Sequence, residues 1–150
     1  MFPTRFVEMG MPLVNIARKG GNKMEILIVD DEPQVAEVLA KSLNRQGHKT
    51  TVVHSGVEAL DRLRTTAPDA MFLDVSMPGM NGLDVMQEVK RLKPALAVVV
   101  ITGHATADEI ERVKQMGAVD VIQKPSALTH YHQAIERLHV KKAYPDTDHV

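Results

Sequence analysis

A chain of 150 residues, 44% hydrophobic and 25% charged, has the size and balance of one globular domain with room for a core. A formal net charge of -1 gives no global attraction to nucleic acid or anionic membrane, and two Tyr, three Phe and no Trp leave little to stack on bases. The lack of cysteine excludes a disulfide framework and any thiolate metal site and fits a reducing cytoplasm, and no apolar run approaches the roughly 20 residues of a membrane span.

Residues Met1 to Lys23 contain Pro3, Gly10, Pro12 and Gly20-Gly21 without a regular pattern, and are expected to be loose. No signal peptide is recognisable there. Lys19-Gly20-Gly21-Asn22-Lys23 stands just before Met24, and Lys-Gly-Gly codons can spell a purine-rich ribosome-binding sequence. The expectation is therefore a native start at Met24, with a working domain over 24–142 and a frayed tail over 143–150. The intact mass of the protein made from its own gene decides the start.

From Glu25 onward, short apolar runs alternate with helical spacing. Ile26-Leu27-Ile28-Val29 predicts a first strand that ends at Asp30-Asp31. Pro33 suits a helix first turn, and Val35, Val38, Leu39 and Leu43 predict a helix face running to Gly47. Thr50 to Val53 is a weaker strand, followed by a capping box, Ser55-Gly56-Val57-Glu58, and a helix through Leu60 and Leu63. Ala70 to Leu73 is a third strand stopped at Asp74; Pro78, Gly79 and Gly82 then break the chain before a helix with Leu83, Met86 and Val89 on one face. Leu96 to Ile101 predicts a fourth strand ending at Thr102. Thr106 to Glu109 is a second capping box, opening a helix through Ile110, Val113 and Met116. Val119 to Ile122 forms the fifth strand, ending at Lys124-Pro125, and Ser126 is placed to cap a last helix with Leu128, Tyr131, Ile135 and Leu138 on its face.

Five such units predict an α/β protein with a doubly wound five-stranded parallel sheet covered on both faces. Ligands of such sheets bind beyond the carboxyl ends of the strands. Asp30 and Asp31, Asp74, Thr102 and Lys124 stand at four of these ends, whereas the second strand ends at His54-Ser55 with nothing comparable. A silent strand at the edge matches the flavodoxin-like order 2-1-3-4-5, in which the other four tips adjoin. Three carboxylates in one crevice repel by about 4 kcal/mol per pair at 4 Å and an effective dielectric near 20, so they take up a proton or a cation. An open, oxygen-only site suits Mg²⁺. With Lys124 as a point charge, Thr102 as a hydroxyl donor and Asp74 as a free carboxylate, the set fits phosphoryl transfer to an Asp nucleophile.

Val29-Asp30-Asp31-Glu32, Asp74-x-x-Met77-Pro78-Gly79-Met80-Asn81-Gly82, Thr102-Gly103 and Lys124-Pro125, in this order and spacing, resemble the receiver domain of two-component response regulators over about Glu25 to Val140. The resemblance implies that Asp74 accepts a phosphoryl group from a sensor histidine kinase or a histidine phosphotransfer protein. It also implies that Mg²⁺ is held by Asp31, Asp74 and the Ser76 backbone carbonyl, with Asp30 acting through water. Thr102 and Lys124 would contact the phosphoryl oxygens, and Ser76 and His104 would tune the phosphoryl lifetime. Val121 stands where many relatives carry a rotating aromatic residue, so coupling to the output face is expected to be weaker or differently built. That face, formed by the fourth helix, fifth strand and fifth helix, would meet a downstream protein in the cytoplasm, with a homodimer as one further outcome.

The chain is thus expected to be a phosphoacceptor signalling protein rather than an enzyme, stand-alone or cut from a longer regulator. It would contact neither nucleic acid nor membrane. Two alternatives use similar parts: a small Mg²⁺-dependent aspartyl phosphatase of the haloacid-dehalogenase type, and the receiver fragment of a transcriptional regulator. The phosphatase would place its nucleophile after the first strand in a DxD pattern, whereas this strand ends in Asp30-Asp31. His130 and His132 fall on different helix faces and are not expected to share a metal, and the nine Met are expected to fill packing gaps. Glu109, Glu111, Arg112 and Lys114 have the spacing of a solvated helix face.

Overall fold

The structure, a computed structural model, describes residues 23–77, 79 and 81–143. The expected leader, apart from Lys23, and the expected tail beyond Ala143 lie outside these residues. Strands β1 (Glu25–Val29), β2 (Lys49–Val53), β3 (Ala70–Asp74), β4 (Ala97–Thr102) and β5 (Ala118–Gln123) alternate with helices α1 (Pro33–Arg45), α2 (Gly56–Thr65), α3 (Gly82–Leu92), α4 (Ala107–Gln115) and α5 (Leu128–Ala143). All strand pairs are parallel and the order is β2-β1-β3-β4-β5, the doubly wound flavodoxin-like arrangement expected.

Strand periodicity divides the core into two layers. Ile26, Ile28, Ala70, Phe72, Val99 and Ile101 face one side, where they meet Ala36, Leu39, Ala40 and Leu43 of α1 and Tyr131, Ala134, Ile135 and Leu138 of α5. Phe72 and Tyr131 meet edge to face with ring centroids 5.5 Å apart. Leu27, Val29, Met71, Leu73, Val98 and Val100 face the other side, against Ala59 and Leu63 of α2, Val85, Met86 and Val89 of α3, and Val113 of α4. All five residues of β3 are buried, including Asp74 at its tip.

Several local expectations change. Helix α1 buries Ala36, Leu39, Ala40 and Leu43, leaving Val35 and Val38 42% and 54% exposed. The true face follows the i, i+3, i+4, i+7 spacing, and its two alanines allow a close approach of the helix to the sheet. Helix α5 starts at Leu128, which is 38% exposed, so Ala127 rather than Ser126 precedes it. The Ser126 hydroxyl instead pairs with His130 Nδ1. Strand β5 starts one residue earlier and carries a bulge: Val98 pairs with Ala118 but Val99 with Asp120, which leaves Val119 40% exposed.

The second capping box is complete, with Thr106 Oγ1 accepting from Glu109 N and Glu109 answering at Thr106 N. Glu109 is therefore spent on a cap rather than simply solvated. In the first box Ser55 Oγ accepts from Glu58 N at 3.1 Å, but the Glu58 carboxylate reaches past Ser55 to His54 N at 2.9 Å. Among the described residues no helix is long and apolar enough to cross a membrane.

Candidate functional site

Sheet register brings the carboxylates together. Val29 lies beside Leu73 in the β1–β3 pair, so Asp30, the next residue, emerges beside Asp74. Both are buried, at 2% and 1% exposed, whereas Asp31 is exposed. One oxygen from each of Asp30, Asp31 and Asp74 falls within 4.8 Å of the others. The Asp30 Oδ1 atom accepts from Glu32 N at 2.9 Å. Burial pushes the Asp30 carboxyl above the usual range and the Asp74 charge adds to this; the Glu32 N–H and Lys124 pull it back part of the way.

Lys124 is the cation of this cluster. Its Nζ lies 2.8 Å from Asp74 Oδ2, 2.7 Å from Glu32 Oε1 and 3.3 Å from Asp30 Oδ2. Burial works against its charge, but the bonds to Asp74 and Glu32 prevail and hold the ammonium above the ordinary lysine range. The Lys124 backbone N–H donates to the Thr102 carbonyl at 2.8 Å, which ties the tips of β4 and β5 together.

The other oxygen of Asp74 belongs to Ser76. Its backbone N–H and its hydroxyl both donate to Asp74 Oδ1, at 2.8 and 2.7 Å. The same hydroxyl accepts from Gly103 N at 3.3 Å, across to the loop after β4. Thr102 is buried and takes no part in the bonds to Asp74. With Ser76 and His104 it lines a hollow of about 360 Å³ that reaches between α3 and α4 to Leu83 and Val113. Val75 and Gly82 wall the same hollow, and there the packing is tight. A Cβ added at Gly82 would lie 2.4 Å from Val75 Cβ, so α3 begins hard against the chain leaving β3. Asn81 caps that start, accepting from Leu83 N and Asp84 N.

Every predicted site residue thus lies at the carboxyl end of the sheet except Val121, which is half-buried within β5 and packs in the layer that holds Val113 and Met116. Two contributors were not anticipated. Glu32 was seen only as part of a motif, yet it holds Lys124; its place before Pro33, with no side-chain cap to form, leaves the carboxylate free to do so. Strand β2 is not silent either, because His54 Nδ1 bonds to the Asp30 carbonyl at 2.9 Å and braces the acidic loop. His130 and His132 do take separate partners, Ser126 and Ser42.

The donor set fits a hard divalent cation such as Mg²⁺. It is made of oxygen alone, is rich in negative charge, and combines buried carboxylates with the exposed Asp31. Lys124 supplies the compensating charge among the described residues.

Parallel order and an acidic crevice at the tips of β1 and β3 define a doubly wound α/β protein with a cluster of charged groups at the carboxyl edge of its sheet. Residues 26–136 match the family model described as "Response regulator receiver domain", and the chain belongs to that family. It is 39% identical over 98 residues to the DNA-binding transcriptional regulator NtrC of Klebsiella pneumoniae, covering 65% of this chain and 21% of that protein. Identity to the response regulator MprA of Mycobacterium avium (strain 104) is 35% over 125 residues, covering 83% and 54%. The receiver domain of NtrX from Brucella abortus superposes with a TM-score of 0.70 at 33% identity, covering 76% of this chain and 97% of that one. The chain spans between about a fifth and about half of these two curated relatives. Family membership sets the haloacid-dehalogenase alternative aside.

Proposed function

We propose that Asp74 is the phosphoacceptor of this receiver domain, taking its phosphoryl group from a phosphohistidine of a sensor histidine kinase or histidine phosphotransfer protein. The observation that carries this reading is the meeting of Lys124 Nζ with Asp74 Oδ2 at 2.8 Å, beside two further carboxylates in a crevice open to solvent through Asp31. An Asp74 oxygen attacks phosphorus, the phosphorus–nitrogen bond of the donor breaks, and the imidazole leaves with a proton from solvent. The product is an acyl phosphate. Hydrolysis by water returns the carboxylate and inorganic phosphate, so the chain is modified and reset rather than acting on a separate substrate.

Asp31, Asp74 and the Ser76 carbonyl would hold Mg²⁺, with Asp30 acting through water. The ion supplies positive charge for the phosphoryl oxygens. Lys124 adds a point charge and Thr102 a hydroxyl. Ser76 and His104, at the mouth of the hollow beside Asp74, set water access and hence phosphoryl lifetime. Output passes to a protein partner on the face of α4, β5 and α5, in the cytoplasm and without DNA contact by this domain. With Val121 in place of an aromatic switch, coupling runs through aliphatic repacking against α4. The domain acts by itself or as the receiver of a longer regulator. Incubation with Mg²⁺ and acetyl phosphate, followed by mass mapping, should find one modification, on Asp74, lost in Asp74→Asn. Labelling that survives Asp74→Asn refutes the assignment.

A further inference from the structure

The Ser76 hydroxyl joins two loops that leave different strands. It donates to Asp74 Oδ1 at 2.7 Å and accepts from Gly103 N at 3.3 Å. Gly103 follows Thr102, and a Cβ placed on it would stand 3.5 Å from Ser76 Oγ, so the two loops are in close contact there. Beyond this contact lies the 360 Å³ hollow lined by Ser76, Thr102, His104 and Val113, into which the loop after β4 has room to move.

We infer that the Ser76 hydroxyl is a charge-gated latch: it holds Gly103, and Thr102 with it, in the resting position for as long as Asp74 carries its negative charge. A hydroxyl donating to an ionised carboxylate forms about twice as strong a bond as one donating to a neutral oxygen. That donation also polarises Oγ and makes it a better acceptor for the Gly103 N–H. Acylation of Asp74 removes the charge from the carboxyl oxygens and moves it to the phosphoryl group. Both bonds of the latch then weaken together, and the Gly103 amide loses its partner. The trigger rests on Asp74 being the phosphoacceptor; the latch itself exists in the unmodified chain and is tested there.

The test is a double-mutant cycle on amide exchange, followed by NMR on the full chain without metal or phosphodonor. Ser76→Ala should speed exchange of the Gly103 amide about five- to tenfold, through loss of the hydrogen bond from its N–H to Ser76 Oγ. Asp74→Asn, which neutralises the carboxylate at constant shape, should speed it by a similar factor. The double variant should exchange no faster than Ser76→Ala alone, because both act through one hydroxyl. Ser76→Thr should restore protection. Unchanged Gly103 exchange in Ser76→Ala, or factors that multiply in the double variant, overturns the latch. Neither result depends on phosphorylation, so mass mapping of Asp74 fails or succeeds separately.

Discussion

Asp30 carries a charge that the fold resists, and Asp30→Asn isolates the cost. At an effective dielectric of about 20, each of the two carboxylates with an oxygen within 4.8 Å opposes its charge by at least about 3.5 kcal/mol, and Lys124 at 3.3 Å favours it by about 5 kcal/mol. Two repulsions against one attraction leave roughly 2 kcal/mol unfavourable, and burial of a group only 2% exposed adds to that. Asparagine has nearly the same shape and still offers an oxygen to Glu32 N. The metal-free chain should therefore gain about 1–2 kcal/mol from Asp30→Asn, because Lys124 keeps Asp74 and Glu32 as partners and is not left an unpaired charge.

Sign and window follow from the raised carboxyl. An acid whose folded value lies above its unfolded value contributes stability at low pH and loses it as pH rises through that interval. The advantage of Asn should thus vanish below about pH 4. Urea unfolding in EDTA at neutral pH, with an unchanged slope, should show a midpoint higher by about 0.5–1 M. Millimolar Mg²⁺ should shrink or reverse the difference, since the wild type alone keeps the full acidic set. A lower midpoint for Asp30→Asn in EDTA would refute the electrostatic account of the site.

The other predictions concern charge and packing. Lys124, held above the ordinary lysine range, should stabilise the fold fully below about pH 10 and lose that contribution as pH rises through its folded value, so the wild-type midpoint should fall above pH 10 more steeply than that of Lys124→Met. Gly82→Ala forces a Cβ to 2.4 Å from Val75 Cβ and should cost about 1–3 kcal/mol in denaturant titration. Phe72→Ala, deleting a fully buried ring packed on Tyr131, should cost about 3–5 kcal/mol by the same assay.

The fold was legible because parallel strands covered on both sides leave unbroken apolar runs, and each run here stops at a polar residue. Strand order followed from which tips carried chemistry, although the supposed silence of β2 was false: His54 acts by reaching sideways to the Asp30 carbonyl, and no periodicity records a reach of that kind. Glu32 escaped for the same reason, because its partner Lys124 is 92 residues away. On α1 the predicted face took in Val35 and Val38 by spacing, while close helix–sheet packing selects the small side chains of Ala36 and Ala40. The Ser76 bridge to Gly103 links two loops whose separation in space depends on the register of β3 and β4, so residue type alone gave no sign of it.

Gly82 gives the crevice an anvil. Where not even a methyl group fits between α3 and Val75, stress arising at the tip of β3 has no slack to take up on that side. The hollow that Val75 and Gly82 wall opens instead towards the loop after β4, so a displacement started there should pass to that loop and the helix it leads into. The direction of travel would thus be set by the unequal stiffness of the two walls of one hollow, before any partner binds.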